Sequence, residues 1–216
     1  LCLYLGFEET AQALGMPRHN LWIYPNEDYE QTIEDSRTDP EAPLPMVYVS
    51  FPAAKDPDFE RRHPGHSTVD VITAAPYEWF EQWEGTKWKR RGADYDAFKN
   101  RLAERMMEAL FEQMPQLRDK VAFYEISTPL TTAHFAGYGR GELYGLDHTP
   151  DRFRQGFLQP ATPIPGLYLT GQDIVSCGVA GAMFAGVLTA TTVLGGNLLA
   201  TMAASTATLL GHLSLA

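Results

Sequence analysis

The stretch Pro165-Gly-Leu-Tyr-Leu-Thr-Gly-Gln-Asp-Ile-Val-Ser-Cys-Gly-Val-Ala-Gly-Ala-Met-Phe-Ala-Gly186 decides how the rest of this 216-residue chain is read. A short apolar run, 167–170, predicts a strand that ends on Gly171. The carboxylate of Asp173 follows, and Gly178 and Gly181 open a run of small and apolar residues that predicts a helix over 179–194. A helix start exposes unpaired backbone N–H groups and a partial positive charge. Glycines at 178 and 181 let that backbone approach a flat, polar cofactor without a Cβ in the way. Val179 and Ala180, between them, would offer amides, and Asp173 can accept hydrogen bonds from sugar-like hydroxyls. A tight turn with close helix packing would use the same glycines, so spacing alone leaves both readings open.

Outward from this segment, charge is strongly segregated. Beyond Arg154 the only formal charge is Asp173. Residues 174–199 could pass a crude hydropathy test for a membrane span. Their Gly, Ser and Thr content and the stop signal Gly195-Gly196-Asn197 argue instead for a buried helix that is apolar all round. The uncharged run 198–216, with a further helix over 198–210, could assist contact with a membrane surface. A net charge of −10 and a pI near 5.0 argue against nucleic acid as a partner. The one basic cluster, Lys87-Trp-Lys-Arg-Arg91, reads as a solvated turn ahead of a helix. Two cysteines, Cys2 and Cys177, make no disulfide framework and point to an intracellular, reduced setting.

The first third reads as strands over 1–7, 20–24, 46–51 and 68–74, rich in β-branched and aromatic residues and separated by Pro, Gly, Asn and Asp. This spacing suits an antiparallel sheet. The acidic, Pro-containing stretch 26–45 reads as a long surface connection. Phe98, Leu102, Met106, Leu110 and Met114 recur four apart and predict a helix over 94–114, stopped by Pro115. A strand over 121–126 precedes a helix entry with Thr128 as cap and Pro129 in the first turn.

Other chemistry-bearing patterns are weak. His63 and His66 have metal-like spacing but no third ligand, so no metal site is expected. No Gly-x-Ser-x-Gly elbow supports a hydrolase. The glycine-rich run Gly137 to Gly141 follows a helix entry and not a strand, which fails the context required of a dinucleotide loop. Cys177, near a helix start, reads as a small residue packed beside the cofactor.

The blocks Leu-Tyr-Leu-Thr-Gly-Gln-Asp (167–173) and Cys-Gly-Val-Ala-Gly-Ala (177–182) resemble the C-terminal FAD segment of the phytoene desaturase and carotenoid isomerase family of flavoproteins. Within that family the likeness is nearest to the retinoid-saturating branch. It continues through Phe51-Pro-Ala-Ala-Lys-Asp-Pro57, Pro64-Gly-His-Ser-Thr68, Tyr77-Glu-Trp-Phe-Glu-Gln-Trp83, Arg91-Gly-Ala-Asp-Tyr95, Ser127-Thr-Pro-Leu-Thr131 and Arg140-Gly-Glu-Leu-Tyr-Gly-Leu-Asp-His148. The resemblance implies an α/β fold: an α+β substrate domain with a mostly antiparallel sheet over 1–150, then, over 151–216, the returning strand and helix of a split Rossmann-type FAD domain. The N-terminal half of that FAD domain is not in this chain. The resemblance further implies FAD as cofactor, held at Gly171, Asp173, Gly178, Val179, Ala180 and Gly181, with NAD(P)H a candidate electron donor. It implies an apolar polyene of retinoid or carotenoid type as substrate and oxidoreductase chemistry on its C=C bonds. Tyr144 and His148 would then be candidate proton donors. A cytoplasmic protein, or one peripheral on a membrane, fits that substrate. The alternative is a non-catalytic binding module derived from such an enzyme.

Overall fold

The computed structural model describes residues 1–203. The chain divides into two compact units, one ending at Glu142 and the other beginning at Leu143. The first is built on strands β1 (Cys2–Phe7), β2 (Leu21–Ile23), β3 (Val47–Ser50), β4 (Ser67–Thr73) and β5 (Val121–Ser127). They form one antiparallel sheet in the order β2-β3-β4-β1-β5. Leu3 stands between Val71 and Ile126, and Leu5 opposite Val69. Alternation therefore sends Leu3, Leu5, Phe7, Val47, Val49, Val69, Val71 and Ile126 to one face.

That face is buried together with α4 (Ala93–Gln113) in one hydrophobic core. Phe98, Leu102, Met106 and Leu110 lie along the helix as their four-residue spacing predicts, and all are buried. Trp83, in the 3₁₀ turn Tyr77–Trp83, stacks on Phe98 with ring centroids 5.5 Å apart and donates its Nε1 hydrogen to Asp94 at 2.8 Å. The opposite sheet face stays open. It presents Tyr4, Trp22 and Phe123, all well exposed, beside Tyr48, Asp70 and Ile72. Trp22 meets Tyr48 edge-on at 4.8 Å.

One expectation in this unit is corrected. The stretch 26–45 is not all connection, because α1 (Tyr29–Thr38) forms within it. Asp28 caps that helix by accepting the Gln31 amide at 3.1 Å, and Gln31 donates to Asp35 at 2.7 Å. Polar contacts hold it, so no apolar stripe announces it. Short helices α2 (Pro52–Lys55) and α3 (Phe59–Arg62) follow β3, and α5 (Pro129–Ala136) follows β5. At the start of α5 the Thr131 hydroxyl accepts from the Thr128 amide at 3.2 Å, and Gly137 ends the helix in a left-handed turn.

The second unit holds α6 (Pro150–Phe153), a 3₁₀ turn (Gln172–Ile174) and α7 (Val179–Leu194), with helical residues again over 198–203. Two expectations fail here. No strand forms over 167–170; a single bridge joins Tyr168 to Ala161. A strand needs ladder partners on at least one side, and the described residues offer none beyond that bridge. Helix α7, expected to be buried, is largely uncovered, with only Gly181 and Ala185 packed away and Val179 87% exposed. Most of the helix expected over 198–210 lies outside the described residues. Among those described, no helix is long and apolar enough to cross a membrane.

Candidate functional site

The second unit gathers its polar contacts around the turn that precedes α7. Thr149 caps α6 by accepting the Arg152 amide at 3.3 Å. Arg152 is thereby directed inward and is only 8% exposed. Its Nη2 donates to the carbonyls of Gln172 and Asp173, both at 2.9 Å. Its Nη1 has no partner, beside a small void of about 60 Å³ also lined by Asp173, Ile174 and Val175. One guanidinium nitrogen bridging two successive carbonyls fixes the 3₁₀ turn that carries Asp173.

The strap before α6 fixes the same turn from another side. Asp173 Oδ1 accepts the Leu146 amide at 2.9 Å, and no described residue pairs with Oδ2. Gly145 makes that approach feasible: its φ is +70°, and a Cβ there would stand 2.0 Å from Asp173 Oδ1. The neighbouring Tyr144 also has φ of +70°, rare for a non-glycine residue, and its ring is exposed. His148 Nε2 accepts the Cys177 amide at 2.8 Å, and its ring lies edge-on to Phe153. His148 thus holds the last residues before α7.

Helix α7 then starts in the open. Gly171 and Gly178 have φ of +93° and +91°, and nothing lies within 4 Å of where their Cβ atoms would be. The first helical hydrogen bond runs from the Ala182 amide to the Gly178 carbonyl, leaving the amides of Val179, Ala180 and Gly181 outside the ladder. Gly181 is different: a Cβ there would stand 2.1 Å from the Ser176 carbonyl oxygen. Close packing explains Gly181, whereas open space with a positive φ explains Gly171 and Gly178. Chemically, the arrangement offers exposed amides at a helix start and a held carboxylate with one free oxygen. This donor and acceptor set suits a phosphate and the hydroxyls of a ribityl or ribose chain.

All six residues read as cofactor-binding therefore fall on one turn and helix start, and the strap brings Tyr144 and His148 into the same unit. Sequence reading missed Arg152. A lone arginine two residues before Arg154 carries no signal, and only burial against the 172–173 carbonyls distinguishes it. Among the described residues, no group of three His, Cys, Asp or Glu could hold a metal ion. His66 Nδ1 lies instead 2.8 Å from the Pro64 carbonyl oxygen.

No family model matches the chain. Individual proteins do. The chain is 36% identical over 205 residues to the all-trans-retinol 13,14-reductase of Danio rerio, covering 92% of this chain and 34% of that protein. It is also 36% identical, over 203 residues, to the Homo sapiens enzyme of that name, covering 91% and 33%. A more distant relative is the chloroplastic prolycopene isomerase of Arabidopsis thaliana, 27% identical over 163 residues, 73% of this chain and 25% of that protein. The chain thus spans about a third of the length of the curated relatives it matches. By sequence, it belongs to the family of the all-trans-retinol 13,14-reductases.

Proposed function

We propose that this chain is the cap and cofactor-return part of an FAD-dependent oxidoreductase acting on a C=C bond of a retinoid-like polyene. The observation that carries the reading is the open helix start at Gly178. Its free amides and positive-φ glycine adjoin a carboxylate held by Leu146 and a turn held by Arg152. Gly171, Asp173, Gly178, Val179, Ala180 and Gly181 would hold the FAD. Bound there, a flavin supplies hydride chemistry to one carbon of the double bond. The chain's part is to hold the cofactor and to move a proton to the other carbon. Tyr144 is the candidate donor through its exposed hydroxyl. His148 could serve only through Nδ1, because its Nε2 lone pair is committed to the Cys177 amide. A polyene substrate favours work at a membrane surface. Among the described residues none argues for NAD(P)H as the donor.

The test uses the full-length protein, purified and reconstituted with FAD. Denaturation is expected to release stoichiometric FAD. Incubation with all-trans-retinol and a flavin reductant is expected to yield a product with two added hydrogens. Absence of any bound flavin after reconstitution would sink the cofactor reading. Bound flavin with an unchanged polyene would remove only the substrate.

A further inference from the structure

The loop between the 3₁₀ turn Tyr77–Trp83 and α4 carries a surface that the chemistry above does not use. Lys87, Trp88, Lys89 and Arg90 are all exposed there. Of the chain's lysines and arginines, most are engaged: Arg91 donates to the Thr86 and Leu130 carbonyls, Lys99 pairs with Asp96 and Glu125, and Arg105 donates to the Pro40 and Ala42 carbonyls. Among the described residues, the side chains of Lys87, Lys89 and Arg90 have no ion pair or hydrogen bond, a state that only Arg18 shares elsewhere. Among the described residues no carboxylate comes within 4.0 Å of their charged nitrogens, and Asp96 and Glu125 face Lys99 instead. Three uncompensated cations on one loop stand out in a chain of net charge −10.

An apolar wedge sits among those cations. Trp88 stacks on His134 with centroids 5.9 Å apart and meets Phe135 edge-on at 5.1 Å. Phe135 is 65% exposed and Trp88 41%. Lys89 lies over the Trp88 ring and adopts φ of +58°, a left-handed turn that glycine would take without strain. The chain keeps a lysine in that strained position, beside the aromatic pair.

We propose that the 87–90 loop and Phe135 form a docking surface for an anionic phospholipid membrane. Exposed aromatic rings with an apolar body and a polar edge settle at the headgroup level. Unpaired Lys and Arg around them are attracted to an anionic leaflet. An acidic protein partner would answer the charge but not the aromatic wedge. The surface stands on this loop and the end of α5 and does not depend on the flavin reading. It places this docking surface in the first unit.

The experiment is flotation of the full-length protein with vesicles of phosphatidylcholine alone and with about 30% phosphatidylserine. Binding is expected to rise with phosphatidylserine and to fall with salt. The variant Lys87→Ala/Lys89→Gly/Arg90→Ala is expected to lose about five-fold in partitioning per cation, roughly 100-fold in all. Trp88→Phe is expected to remove part of the fluorescence quenching by brominated lipids. Unchanged melting curves confirm that both variants fold. Equal partitioning of wild type and triple variant would overturn the proposal. So would binding to immobilised polyglutamate through the same cations without any binding to anionic vesicles, which would assign the loop to an acidic peptide.

Discussion

Two glycines of α7, five residues apart, are expected to respond to the same substitution with opposite sign. Replacing Gly by Ala in a helix interior favours the helix by about 0.8–1 kcal/mol. At Gly186 a Cβ meets nothing within 4 Å, so Gly186→Ala should keep that gain, about 1 kcal/mol of added stability. At Gly181 the Cβ would stand 2.1 Å from the Ser176 carbonyl oxygen, 2.5 Å from its Oγ and 2.8 Å from its carbonyl carbon. Two of these are backbone atoms, so the turn itself must move outward by about an ångström. Overpacking of this kind costs about 1–3 kcal/mol, and a backbone obstruction belongs at the upper end. The net effect of Gly181→Ala is a loss of about 2 kcal/mol, leaving the two variants about 3 kcal/mol apart. Urea unfolding of the full-length protein, followed by circular dichroism, reads the difference as a shift in midpoint at constant slope. FAD content after gel filtration reads the displaced turn directly, and should fall for Gly181→Ala alone. If Gly181→Ala is as stable as Gly186→Ala, the packing account of Gly181 is wrong.

Other outcomes follow from the same contacts. Arg152→Leu should cost about 2–4 kcal/mol and lower FAD retention, because two carbonyls lose a charge-assisted donor; thermal melting with and without added FAD checks it. Met106→Ala should destabilise the first unit by about 2–5 kcal/mol, since Met106 is fully buried between helix and sheet; a denaturant titration followed by tryptophan fluorescence reads this. Burial raises the carboxyl pKa of Asp70 above its ordinary value of 3.8, and Lys55 opposes the shift only in part. A raised acid pKa means that the folded state binds protons more readily than the unfolded one. The charged Asp70 therefore weakens folding above that raised value, and the penalty vanishes as pH falls below 3.8. Asp70→Asn should raise the melting temperature at pH 7 and leave it unchanged near pH 3; an equal rise at both would contradict the sign.

How much could be read in advance depended on whether a residue's role lay in its own neighbourhood. The four-residue recurrence from Phe98 to Leu110 and the alternation of Val69 and Val71 are local patterns, and both elements form where the patterns place them. Thr128 and Pro129 announced α5 because capping uses residues three apart. Helix α1 gave no such signal, since its hold comes from Asp28, Gln31 and Asp35 and not from an apolar face. Residues 167–170 carry strand chemistry, yet a strand also needs neighbours, which composition cannot supply. The glycine and carboxylate turn was legible as a motif. Its supports were not: Arg152 and the Leu146 amide reach Asp173 and its neighbour Gln172 from 20 to 27 positions away in sequence.

The strand order has a consequence for how the first unit comes into being. Strand β1 is made first but ends up between β4 and β5, and its Cys2 pairs with Ile72 on one side and with Ser127 on the other. At about 5–20 residues per second, the last partner trails by roughly 6–25 s during synthesis. Through that interval an apolar strand waits with an unfilled edge, the state in which chains stick to one another. The sheet is therefore completed late, when β5 reaches its oldest strand. Its assembly is the slow, non-local kind, in which loop closure must precede the contacts that reward it.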